Sequence, residues 1–204
     1  MNRWQSAGSR AVFLDKDGTL IDRIALNVDP TRITLAEGAA EGLYLLARRD
    51  YRIFVVSNQP GVALGFFPEH ALRTVEARLR DLLREVGVPL SGFYYCPHLP
   101  EGTVPEYAVP CTCRKPASGM LYRAAREHAL DLARSWLIGD VLDDVEAGHG
   151  ARCRTLLIDN GNETEWDLTA ERRPHKVASD LFEAAALIVS ADVQASSRAA
   201  DMHA

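Results

Sequence analysis

Short apolar runs punctuate the chain at 11–14 (AVFL), 51–56 (YRIFVV), 92–95 (GFYY), 136–138 (WLI) and 154–158 (RTLLI), with a weaker one at 176–178. Their length and their β-branched and aromatic content predict strands. Helical spacing fills most of the intervals. The clearest case, 68–86, opens with Pro68 in a tolerated first-turn position, sets Leu72, Val75, Leu79, Leu82, Leu83 and Val86 on one stripe, and stops at Gly87. Further helices are expected over 37–49, 118–130, 141–149 and 180–190. Strand and helix alternate, so the pattern predicts an α/β fold: a three-layer sandwich with a central parallel sheet and helices on both faces. Such sheets bind ligands at the carboxyl ends of their strands.

One stretch escapes this rhythm. Five prolines between residues 97 and 117 break regular structure and leave an irregular insertion that cannot support itself. With no repeat or low-complexity tract, 1–194 reads as a single domain; 195–204 reads as a flexible tail, and 1–8 as a loose start.

Composition narrows the function. A chain of 204 residues with 47% hydrophobic and 25% charged residues is globular in type. Its net charge of −5 argues against a surface for nucleic acid. No apolar run reaches the ~20 residues of a membrane span, and the first ten residues lack the apolar core of a signal peptide, so a cytoplasmic monomer is expected.

Candidate chemistry follows the strands. After AVFL comes DKDGTL, where Asp15 and Asp17 point the same way if strand geometry continues. Two anions in one site repel, and a divalent cation held by oxygen ligands is the common compensation. After YRIFVV comes SNQPG, with Ser57, Asn58 and Gln59; after the insertion comes CRKP, with Arg114 and Lys115; after WLIG comes GDVLDD, with Asp140 and Asp144. Carboxylates, a hydroxyl, amides and a cation on one sheet edge form an inventory for Mg²⁺ and phosphate.

These motifs, in this order, resemble those of the haloacid dehalogenase (HAD) superfamily of phosphatases. DKDGTLI, SNQPGV and CRKPASGML are similar to the branch containing heptose 1,7-bisphosphate phosphatases and histidinol-phosphate phosphatases. The resemblance implies a HAD-like Rossmannoid fold with a minimal cap. It implies that Asp15 attacks phosphorus and forms an aspartyl-phosphate, while Asp17 serves as general acid and then base. Asp15, the backbone carbonyl of Asp17 and Asp140 would hold Mg²⁺. Ser57, the Asn58 amide, Gln59 and Arg114 would contact substrate, Lys115 would clamp the phosphoryl group and Asp15, and Asp144 and Thr19 would support them. Leu64 and Val141 stand where this branch leads one to expect basic residues.

The insertion has its own signal. Cys96-x-His98 and Cys111-x-Cys113 supply three thiolates and one imidazole, a full set for structural Zn²⁺. The zinc loop of the heptose-bisphosphate branch is similar. Cys153 and Trp136 are expected in the core. His70, His128, His149, His175 and His203 have no partners at ligand spacing and are expected at the surface or as caps; Arg172 and Arg173 could form a basic rim. The leading expectation is Mg²⁺-dependent removal of the 7-phosphate from D-glycero-D-manno-heptose 1,7-bisphosphate. Histidinol phosphate, a polynucleotide 3′-phosphate and a non-catalytic zinc-stabilised binding module are the alternatives.

Overall fold

In the computed structural model, which describes residues 8–201, the strand that precedes DKDGT lies mid-sheet. Ala11–Leu14 (β1) pairs in parallel with Arg52–Asn58 (β2) on one side and Trp136–Gly139 (β4) on the other. Leu90–Cys96 (β3) extends the sheet beyond β2. Arg154–Ile158 (β5) and Lys176–Ala178 (β6) extend it beyond β4. The order β3-β2-β1-β4-β5-β6 is parallel throughout.

Burial on both faces explains why the strands read as unbroken apolar runs. Successive side chains still alternate. Val12 and Leu14 of β1, with Ile53 and Val55 of β2 and Trp136 and Ile138 of β4, pack under helices Ala39–Ala47 (α1), Leu72–Glu85 (α2) and Leu181–Asp201 (α5). Ala11, Phe13, Phe54, Val56 and Leu137 face the other way, against Gly119–His128 (α3) and Leu142–Gly150 (α4). The Phe13 and Phe54 rings meet at 5.5 Å between centroids. Cys153 and Trp136 lie in the core as expected.

Most boundaries shift by one or two residues, and two differ by more. Pro68 adopts extended backbone, and a 3-10 turn, Glu69–Ala71, precedes α2. Helix α5 does not end near 190 but continues to Asp201, so the stretch expected as a tail is helical as far as the described residues go. Asp192 explains part of the extension: its carboxylate accepts from Arg10 at 2.7 Å and from the Tyr51 hydroxyl at 3.0 Å, two groups remote in sequence. Residues 1–7 and 202–204, with Trp4 and His203, lie outside the described residues.

The strand order changes direction between β1 and β4: β2 and β3 follow β1 toward one edge of the sheet, and β5 and β6 follow β4 toward the other. That switch point opens a crevice at the carboxyl ends of the two strands, where DKDGT and GDVLDD emerge.

Candidate active site

β1 ends at Leu14, yet the Asp15 amide donates to the Ile138 carbonyl at 2.9 Å and carries the ladder one step further. The chain then folds into a turn: the Gly18 amide donates to the Ile21 carbonyl at 2.9 Å, and the Ile21 amide to Lys16 at 3.0 Å. Strand geometry therefore does not extend to Asp17. The turn brings both aspartates to one cavity of about 280 Å³, shared with Ser57, Lys115 and Asp140. Gly18 has φ +89°, and a Cβ there would come within 2.2 Å of Asp140 Oδ2. Only glycine lets the turn pass this close to that carboxylate.

Lys115 organises the centre. Its buried ammonium donates to Asp15 Oδ1 at 2.5 Å, Asp144 Oδ1 at 2.6 Å and the Val56 carbonyl at 3.1 Å, which uses all three of its protons. Its backbone is held in turn by Asn58, whose side-chain oxygen accepts from the Lys115 amide and whose NH₂ donates to the Lys115 carbonyl, both at 3.0 Å. Gln59 donates to Ser57 Oγ at 2.8 Å and reaches Asp17 Oδ2 at 3.3 Å. Thr19 Oγ1 lies 3.5 Å from Asp140 Oδ1.

The charges do not balance. Asp15, Asp140 and Asp144 are buried with ligand oxygens within 4.8 Å of one another, and one ammonium lies among them. Burial first, and then the Asp15 charge, push the Asp140 carboxyl up to about 6. Burial also raises Asp144, to about 7, against the pull of Lys115. The Lys115 ammonium is held charged: Asp144 and Asp15 overcome the cost of its burial. Three acids around one buried ammonium form a donor set that fits a divalent ion bound by oxygen.

The insertion holds a second candidate metal site. Cys96 Sγ lies 3.0 Å from Cys113 Sγ and 3.5 Å from Cys111 Sγ, while His98 Nδ1 lies 3.3 Å from Cys113 Sγ. A tetrahedron with Zn–S bonds of ~2.3 Å spaces its sulfurs by about 3.7 Å, so the cluster is close to ligand geometry. All four cysteines are free thiols. Glu69 ties the loop down, accepting from Tyr107 of the insertion at 2.9 Å and from Tyr95 of β3 at 3.0 Å.

Comparison with known proteins gives the family. The HAD-hydrolase-like family model matches residues 112–184. The D-glycero-β-D-manno-heptose-1,7-bisphosphate 7-phosphatase of Photorhabdus laumondii is 36% identical over 157 residues, covering 74% of this chain and 80% of that protein. The enzyme of the same name from Haemophilus influenzae is 37% identical over 150 residues, covering 74% and 81%. The chain belongs to the HAD-like phosphatases. Among solved structures, a HAD-like phosphatase candidate from Mesorhizobium loti matches this family member with a TM-score of 0.77 and 32% identity over 92% of the chain and 90% of its own. The D,D-heptose 1,7-bisphosphate phosphatase of B. bronchiseptica, solved with magnesium and phosphate, has a TM-score of 0.71 and 25% identity over 89% and 98%.

Some groups at this phosphatase's site were not expected. Lys16 is only 1% exposed and donates to Asp17 Oδ1 at 2.6 Å, so it is a buried partner of the acid rather than a solvated screen. Arg23 lines the cavity with its guanidinium half exposed, 3.6 Å from Asp140 Oδ2. It supplies a cation where Leu64 and Val141 do not, and its place directly after the DKDGTLID stretch was the available signal. Arg172 is no basic rim: it pairs with Asp143 at 2.7 Å and Glu146 at 3.3 Å on α4. His175 is exposed as expected, but it and His149 are paired rather than isolated. Their rings stack at 4.9 Å between centroids, and Thr155 Oγ1 lies 2.9 Å from His175 Nδ1. Among the described residues no helix is long and apolar enough to cross a membrane.

Proposed function

We propose that this phosphatase removes the 7-phosphate of D-glycero-D-manno-heptose 1,7-bisphosphate by way of an aspartyl-phosphate on Asp15. The observation that carries the reading is Lys115 Nζ, buried between Asp15 and Asp144 in the wall of a cavity that Asp17, Ser57 and Asp140 also line. Lys115 takes one oxygen of Asp15, which orients the carboxylate and leaves the other free of that ammonium. That oxygen attacks phosphorus as the bond from phosphorus to the sugar oxygen breaks. Asp17 gives its proton to the departing oxygen. Burial, and secondarily the Asp15 charge, raise its carboxyl, while Lys16 opposes them. Lys16 and Gln59 each hold one of its oxygens, so the acid is aimed. Asp17 then takes a proton from the water that attacks phosphorus, the acyl-phosphate bond breaks, and Asp15 returns as a carboxylate.

Mg²⁺ held by Asp15, Asp140 and the Asp17 backbone carbonyl would supply positive charge against the phosphoryl oxygens. Zn²⁺ held by Cys96, His98, Cys111 and Cys113 would be structural, since four protein ligands leave no position for water. It would fix the loop from which Arg114 and Lys115 follow directly. Ser57 and the Asn58 backbone amide are the remaining groups offered to the transferring phosphoryl group.

Two cations support a doubly phosphorylated sugar. Arg23 approaches Asp140 no nearer than 3.6 Å, and Arg114 makes a long bond, 3.4 Å, to the His98 carbonyl; both line the cavity. A second phosphate needs such uncommitted guanidinium groups. The names of the relatives favour the heptose bisphosphate over histidinol phosphate. A zinc-thiolate loop suits the reducing cytoplasm. Phosphate release from heptose 1,7-bisphosphate, histidinol phosphate and a 3′-phosphorylated oligonucleotide, with and without Mg²⁺, tests the assignment. The heptose bisphosphate should give the highest kcat/KM. Release from none of them by zinc-loaded, folded protein would favour a binding module.

A further inference from the structure

We propose that Asn162 is a positioning residue for Asp140, so that the connection between β5 and β6 completes the magnesium site. The inference rests on the reading of Asp140 as a magnesium ligand. The connection, 159–175, carries no helix and is longer than most structureless loops in compact domains. Four of its polar side chains reach the site or α4. Asn162 Nδ2 donates to Asp140 Oδ2 at 2.8 Å, and Asn160 Nδ2 donates to the Gly18 carbonyl at 2.7 Å. Glu163 accepts from the Leu142 amide at 2.6 Å, at the first turn of α4, and Arg172 holds Asp143. Gly161, at φ +83°, separates the two asparagines and lets the chain turn so that both amides reach the same turn of the site.

The chemistry explains why an amide stands there. A carboxylate that must present one oxygen to a cation is free to rotate about its last bond unless the other oxygen is held. Hydrogen bonds to ligating groups hold them this way, and their loss typically costs about 10–100-fold in metal affinity. A lysine or arginine at 162 would also hold Asp140, but it would neutralise the charge that the metal needs. The asparagine amide orients the carboxylate and leaves it anionic. Arg23, the charged neighbour of the same oxygen, stays 3.6 Å away.

Titration calorimetry of the full zinc-loaded chain with MgCl₂ alone tests this without substrate. Asn162→Ala should weaken Mg²⁺ binding about tenfold, and Asn162→Leu, which restores bulk but no donor, should match it. The Mg²⁺ concentration for half-maximal turnover should rise by the same factor, with KM for a phosphomonoester at saturating Mg²⁺ shifting less. Thr164→Ala, in the same connection, should bind as wild type. Wild-type affinity in both Asn162 variants would overturn the proposal, as would an equal loss in Thr164→Ala. A wild-type protein that binds no Mg²⁺ would instead defeat the underlying assignment of Asp140.

Discussion

Asn58 at the end of β2 and Lys115 after the cysteine loop form a reciprocal pair, side-chain amide to main chain, with both hydrogen bonds at 3.0 Å. The pair fixes the backbone of the lysine whose ammonium lies between Asp15 and Asp144. Asn58→Ala should therefore act through Lys115. Displacement by about 1 Å is enough to lower kcat on the order of 10²-fold, and two unpaired main-chain groups should cost about 1–3 kcal/mol in urea unfolding. A variant within twofold of wild-type kcat would show that the loop holds Lys115 without help.

Asp15→Asn separates chemistry from folding. The amide keeps the shape, and its oxygen can still accept from Lys115, but it cannot form the acyl-phosphate. Turnover should fall by at least about 10³-fold, the scale set when a nucleophile is removed. The melting temperature without added Mg²⁺ should hold or rise, because one of three crowded negative charges is gone. Residual turnover above a tenth of wild type would assign the attack to another group.

The loop proposed to hold zinc should fail in a different way. Cys111→Ser removes one of four converging ligands, so metal analysis should find less than one zinc per chain and the melting temperature should drop. Activity should fall with the stability of the loop, since Arg114 and Lys115 follow it directly. One full equivalent of zinc with wild-type melting would contradict the role.

Strand positions were legible because β1, β2, β4 and β5 are covered on both faces and so read as apolar runs. Asp15, Asp17, Ser57, Lys115 and Asp140 were legible because each stands in a short motif at or just past the end of a strand or loop, and the structure brings them to one cavity. Contacts at long range were not. Asn160 meets Gly18 across 142 positions, and His149 stacks on His175 from another element. Lys16 was hidden for a different reason: lysine is almost never fully buried unless paired, and nothing local announces that its neighbour Asp17 is the partner. The extension of α5 depends on Asp192 meeting Arg10 and Tyr51, which no helical periodicity records.

Arg23 should discriminate between substrates. Arg23 lines the cavity with its guanidinium half exposed, and losing a cation that pairs with a second phosphate alters affinity for a bisphosphate more than for a monophosphate. Arg23→Ala should lower the ratio of kcat/KM for heptose 1,7-bisphosphate to that for a simple phosphomonoester by about tenfold, the worth of one charge-assisted bond of ~1.5 kcal/mol. The change should fall mainly on KM. An unchanged ratio would leave recognition of the second phosphate to Arg114.

The acid cluster sets a pH dependence whose sign can be worked out. Asp140 is pushed up to about 6 and Asp144 to about 7, in both cases chiefly by burial, against ~3.9 for an aspartate in the unfolded chain. Between roughly pH 4 and 7 the folded protein therefore holds more protons here than the unfolded chain, and the cluster's contribution to stability declines as pH rises. On the proposed assignment, Mg²⁺ would bind the deprotonated carboxylates and offset their repulsion. Its stabilising effect should then be larger at pH 7.5 than at pH 5, where protons compete for the same oxygens. Melting temperatures with and without Mg²⁺ at the two pH values, zinc retained throughout, make the comparison; carboxylates elsewhere cancel because only the Mg²⁺-dependent difference is read. An equal rise at both would mean that the ion is held by groups other than these buried aspartates.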